Sequence, residues 1–151
     1  MAFDKDTQKR IFRVADARSR GEEIDEMDAR IAWVMDLHPE FEPLWPNGEL
    51  SAIPQEINGQ IVNPFVHTVL HTIVDRQILN QDPEFVAETH RRLMGEGIDE
   101  HDSLHAIISQ YADLYFSSVR RGGGQFDQLE YQSRLARISV SDGPQKGGEG
   151  R

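Results

Sequence analysis

Cysteine is absent from this 151-residue chain. That excludes disulfide scaffolding, thiol nucleophiles and thiolate metal sites, so any metal must be held by imidazole or carboxylate groups. Long apolar runs are also missing: none approaches the ~18–20 residues that a bilayer-spanning helix needs. The opening MAFDKDTQKR is polar and lacks the apolar core of a signal peptide. No membrane association is expected, and the expected compartment is the cytoplasm. Basic residues are in short supply, 16 against 26 acidic ones, for a net charge of −10. Such a chain repels phosphate backbones, and HRRLM and SVRRGG read as solvated helix ends rather than a basic, aromatic-interleaved face. Nucleic acid is therefore not an expected partner.

Alternating apolar and polar residues are scarce, and no repeat of solenoid length occurs. The punctuation reads as helices, so the expected fold class is all-α, a compact bundle of five to six helices. DKDTQKRIFRVADARSRG offers Asp4 or Asp6 as N-cap, places Ile11, Val14 and Ala15 on one face, and stops at Gly21. DEMDARIAWVMDLH follows Asp25 and carries Ile31, Val34, Met35 and His38 along an apolar stripe. Prolines at 39, 43, 46 and 54 argue against a regular element over 39–62, which reads as a long irregular connection pinned by Phe41, Leu44 and Trp45.

Asn63 caps a third helix with Pro64 at its first position, where a missing N–H costs nothing. Asp82 and Pro83 repeat that signature for a fourth, stopping at Gly95 or Gly97. Asp99 starts a fifth, with Asp102 as a capping-box variant, running to about Val119 and the break at RGGG. FDQLEYQSRLARI is a last short helix. Residues 1–140 read as one helical domain, and the glycine-rich SDGPQKGGEGR, 141–151, as a disordered tail.

Four of the six histidines form two i, i+4 pairs, His67 with His71 and His101 with His105. Residues four apart share a helix face, with Cβ atoms roughly 5–6 Å apart. Two imidazoles so placed can turn toward one ion, with bonds of about 2.0–2.1 Å. Val66, Val69, Leu70, Ile73 and Val74 flank the first pair, and Leu104, Ile107 and Ile108 the second, so both point inward. Four buried imidazoles each need partners for two ring nitrogens, which is hard to satisfy without an ion. The expected site is a divalent transition metal, zinc or iron first, on His67, His71, His101 and His105.

Other side chains fit more than one role. His38 can be a further ligand, a hydrogen-bonding neighbour of one, or a helix C-cap beside Pro39. Glu40 reads as a solvated turn residue. Asp75 extends the His67–His71 face by a turn and can neutralise an ion or form a salt bridge. His90 and Asp113 are expected on the surface, and Tyr111 and Tyr115 in the core.

The ordered motifs HPEF, NPFVHTVLH with the later Gln77, and EHDSLHA resemble the bacterial family catalogued as domain of unknown function 1841. The resemblance runs from about Asp25 to Arg120 and covers His38, Pro39, Glu40, Asn63, Pro64, Phe65, His67, His71, Gln77, His101 and His105. It implies that the two pairs belong together, and it implies no activity. The family places Glu where Leu104 and Ser109 stand here, which implies one ion rather than two. DinB-like and hemerythrin-like bundles are looser fold-level similarities. No general base stands out, so catalysis stays open. The rivals are an interaction module, in which 39–62 and the acidic surface engage a protein partner and a metal only holds the bundle together, and a metal-free helical adaptor whose histidines form a pH-sensitive core. Oligomeric state has no signature in the chain.

Overall fold

A computed structural model describes residues 3–123 and 126–138, so the expected 141–151 tail lies outside the described residues. The described chain is predominantly helical and divides into two compact units, the first ending at Thr72 and the second beginning at Ile73.

In the first unit, α1 (Lys5–Ser19) starts where the Asp4 carboxylate accepts from the Thr7 N–H at 2.9 Å. This satisfies one of the orphan donors of the first turn. Ile11, Val14 and Ala15 are its buried face. Gly21, at φ +69°, takes the left-handed conformation that lets the chain turn away. Asp25 caps a single 3-10 turn that leads into α2 (Ala29–Asp36), whose buried residues are Ile31, Val34 and Met35. Arg10 holds Asp28 at 2.6 Å, and Arg18 holds both Asp36 at 2.6 Å and Glu42 at 2.8 Å.

Residues 39–62 are more regular than the sequence suggests. Pro39–Ala52 is a run of 3-10 turns interrupted at Gly48, whose φ of 61° and ψ of −127° no helix accommodates. Phe41 and Trp45 are buried on it and Leu44 half-buried. A two-stranded antiparallel hairpin follows, β1 (Gln55–Ile57) paired with β2 (Gln60–Val62). Its turn is Asn58–Gly59, both at positive φ. The irregular connection expected here is thus corrected. 3-10 turns tolerate prolines that an α-helix interior rejects, and Asn-Gly supplies the two left-handed residues of a tight hairpin.

The helix α3 (Pro64–Asn80) begins as expected. The Asn63 side-chain oxygen accepts from the Val66 N–H at 3.1 Å. Its amide donates to the Ala52 carbonyl at 2.9 Å, tying the end of the 3-10 segment to the helix start. Phe65, in the first turn, packs edge-on to Phe3.

In the second unit, α4 (Glu84–Gly95), α5 (Glu100–Arg120) and α6 (Gln128–Ala136) pack against one another. The expected Asp82 cap is corrected: Pro83 itself occupies the N-cap position, with no side-chain cap bond, and helical geometry starts at Glu84. Asp99 and Asp127 do cap α5 and α6, accepting from the N–H groups of Asp102 and Glu130. Leu93, Ile107, Tyr131 and Leu135 are fully buried. Tyr131 donates its hydroxyl to the Gln77 side chain at 2.7 Å, and Arg92 reaches the Leu135 carbonyl at 3.0 Å. Burial drives the Tyr131 phenol far above its ordinary range.

Candidate metal centre

Three imidazoles meet inside the first unit. α2 ends at Asp36, and two residues later the chain enters the 3-10 segment through His38, whose φ of −128° and ψ of 65° are not helical. That break turns the His38 ring inward, where it is 2% exposed. From α3 come His67 and His71, one turn apart and both buried, 6% and 1% exposed. Ring centroids lie 4.7 Å apart for His38 and His67, 4.4 Å for His38 and His71, and 4.9 Å for His67 and His71. One ring nitrogen from each falls within 4.8 Å of the others.

Hydrogen bonding fixes which nitrogen of His38 is offered. Its Nδ1 lies 2.9 Å from the Val34 carbonyl. A carbonyl only accepts, so Nδ1 carries the proton and Nε2 of the neutral ring carries the lone pair. That Nε2 faces Nε2 of His67 at 3.1 Å. Two ligand nitrogens bound at about 2.0–2.1 Å in a tetrahedron stand ~3.3 Å apart, close to what is observed. Without an ion, the same distance is a single N–H···N bond from His67 to His38. Backbone carbonyl to imidazole to ligand position is the arrangement that orients metal-bound histidines. The donor set is all-imidazole and buried, which suits zinc, iron, nickel or copper and not calcium or magnesium.

Apolar and aromatic groups surround these rings. Phe41, 2% exposed, stacks on His38 with centroids 5.3 Å apart and planes within 8°. It also meets His67 nearly at right angles, at 5.6 Å. Trp45 packs edge-on to Phe41 at 6.3 Å. Two buried polar atoms of this unit, Trp45 Nε1 and Thr68 Oγ1, have no hydrogen-bond partner.

The second histidine pair lies in the second unit, on α5. His105 is half-buried and His101 exposed, their centroids 4.4 Å apart. Asp75 is buried, Glu40 exposed, and Asp113 exposed in an ion pair with Arg134 at 2.6 Å. Tyr111 and Tyr115 are half-buried and stack at 6.2 Å.

His90 corrects its expected surface position: it is half-buried, and its Nε2 is buried without a partner. It lies in the second unit, where α4 packs on α5 and α6, and the neighbouring Arg-Arg does not draw the ring into solvent. Burial lowers its pKa below the ordinary 6.5, against the opposing pull of Glu100 and Asp75. As pH falls below 6.5 the unfolded chain takes this proton first, so the folded state loses stability down to the lower folded pKa; above 6.5 nothing is lost. In protein stripped with chelator, His90→Leu is therefore expected to lose less melting temperature between pH 7 and pH 5 than wild type does. Equal losses in the two proteins would show that His90 titrates as an exposed histidine.

His38 is the residue that helical spacing undervalues. The signal was present, because His38 extends the Ile31, Val34, Met35 stripe by one further step.

The chain matches the family described as Domain of unknown function (DUF1841) over residues 4–137, and it belongs to that family. No curated protein and no solved structure matches it.

Proposed function

We propose that this protein is a small helical metal-binding protein that holds one divalent transition-metal ion, zinc or iron first, through His38, His67 and His71 of the first unit, with His105 proposed as a fourth ligand from the spacing of the second histidine pair in the sequence. The observation that carries this reading is the pair of facing Nε2 atoms on His38 and His67, with His38 held in the required tautomer by the Val34 carbonyl. His71 supplies the third imidazole. His105 is assigned as the fourth ligand, and His101, exposed beside it, is left outside the set. Four imidazoles close a tetrahedron around zinc, so the role proposed for the ion is structural rather than catalytic. A net charge of −10 keeps nucleic acid out of the proposed set of partners.

Metal analysis of protein produced without a histidine tag tests this. About one equivalent of a single transition metal per chain is expected, with absorption spectra showing nitrogen ligands alone. Metal-free protein that also refuses added zinc, iron and cobalt would sink the proposal.

A second reading is supported by the apolar side chains exposed on the 39–62 segment: Leu50 at 60%, Ile53 at 48% and Ile61 at 70%. Under it the protein is an interaction module whose partner binds this segment, with the ion serving only to hold the fold. Substituting Leu50 and Ile61 by Ser would then leave metal content intact and abolish association.

A further inference from the structure

Phe41 stands in an unusual relation to the histidines. Its ring lies flat on His38 and edge-on to His67, the two imidazoles whose Nε2 atoms face each other. The first 3-10 turn fixes it there, through the Phe41 N–H donating to the His38 carbonyl at 3.0 Å. Trp45 packs against it in turn. His38 therefore has its orientation set twice: its edge by the Val34 carbonyl, its plane by Phe41. A generic apolar neighbour fills space but cannot hold a ring plane. An aromatic ring also offers an ion no lone pair to bind, and it leaves a water molecule no hydrogen-bond partner in its place.

We propose that Phe41 is the positioning and shielding residue of the histidine site: it fixes the plane of His38 and keeps water and small anions off the ion from its side. This rests on the metal-binding reading above. Phe41 touches no reacting group and supplies no ligand. It acts by making His38 available at one orientation and by keeping the ion's coordination confined to imidazole.

Cobalt(II) reports coordination directly, because four-coordinate cobalt absorbs visible light several-fold more strongly than five- or six-coordinate cobalt. Wild type, Phe41→Tyr, Phe41→Leu and Phe41→Ala are loaded with cobalt(II), and their visible spectra recorded with and without azide. Far-ultraviolet circular dichroism on the same samples verifies the fold. Wild type and Phe41→Tyr are expected to show the intense four-coordinate band, unmoved by azide. Phe41→Ala is expected to lose several-fold in intensity, to shift with azide, and to bind cobalt about tenfold more weakly, the scale set by orienting groups around metal ligands. Phe41→Leu keeps the apolar volume but not the flat ring, and decides the matter where Phe41→Ala does not fold; it is expected to change in the same direction, by less. Spectra of Phe41→Leu and Phe41→Ala identical to wild type, with or without azide, would overturn the role of Phe41 and leave the metal site standing. Failure of wild type itself to take cobalt would overturn both.

Discussion

Chelation is expected to lower the melting temperature of the wild-type protein by roughly 10 °C and to leave a His71→Ala variant where it was. An ion that binds only the folded chain stabilises it by RT ln(1 + [L]/Kd), about 4 kcal/mol when free metal is a thousandfold above Kd. For a chain of this length each kcal/mol moves the midpoint by roughly 2–4 °C. The unfolded chain cannot reproduce the geometry, because His38 and His67 are 29 residues apart in sequence. In the variant the third imidazole of the first unit is gone, so a chelator has little left to remove. The check is a thermal melt of each protein with and without chelator. Equal shifts in both, or none in either, would mean that the cluster is a metal-free polar core. Such a core is chemically coherent, since the His38 Nε2 can accept from His67 in place of a cation.

Metal stoichiometry across single substitutions should show an equally large effect. His38→Ala, His67→Ala and His71→Ala should each weaken binding by more than about 100-fold, since losing a ligand costs more than the 10–100-fold seen when only its hydrogen-bonding neighbour is lost. His105→Ala belongs with them if it is the fourth ligand, and His101→Ala should keep a full equivalent. If all four residues serve one ion, pairs of these substitutions will be far from additive, because the second removes a ligand from a site already broken. A different result is easy to recognise. Should His38→Ala keep full occupancy while His101→Ala loses it, the ligand set would be the two helical pairs read from spacing alone. Two equivalents in wild type, with substitutions on either helix losing one and leaving the other intact, would indicate two ions.

What the sequence shows and what it hides divide along physical lines. Helix starts are local events. Asp4, Asn63, Asp99 and Asp127 each accept from the N–H three residues on, so reading each start needs only a few letters. The i, i+4 spacing of His67 and His71 is equally local. His38 is only partly so: its step along the Ile31, Val34, Met35 stripe is local, but its inward turn depends on a chain break after α2 that no helical periodicity describes. The hairpin at 55–62 is a different failure. The dipeptide Asn58-Gly59 is a strong short-range hairpin signal, but strands of three residues leave no alternation to notice around it. His90 lies deeper than its charged sequence neighbours suggest, because they say nothing about what α4 packs upon.

The bond from His38 to Val34 has an electrical consequence. The Val34 carbonyl belongs to the last turn of α2, where the aligned peptide dipoles leave partial negative charge. Drawing the Nδ1 proton toward that charge pushes electron density across the imidazole to Nε2 and makes it a stronger base toward any Lewis acid. The short helix is thus wired through one aromatic ring to the place where a cation would sit. Under the proposed reading, its eight residues would tune the affinity of a site that none of them enters.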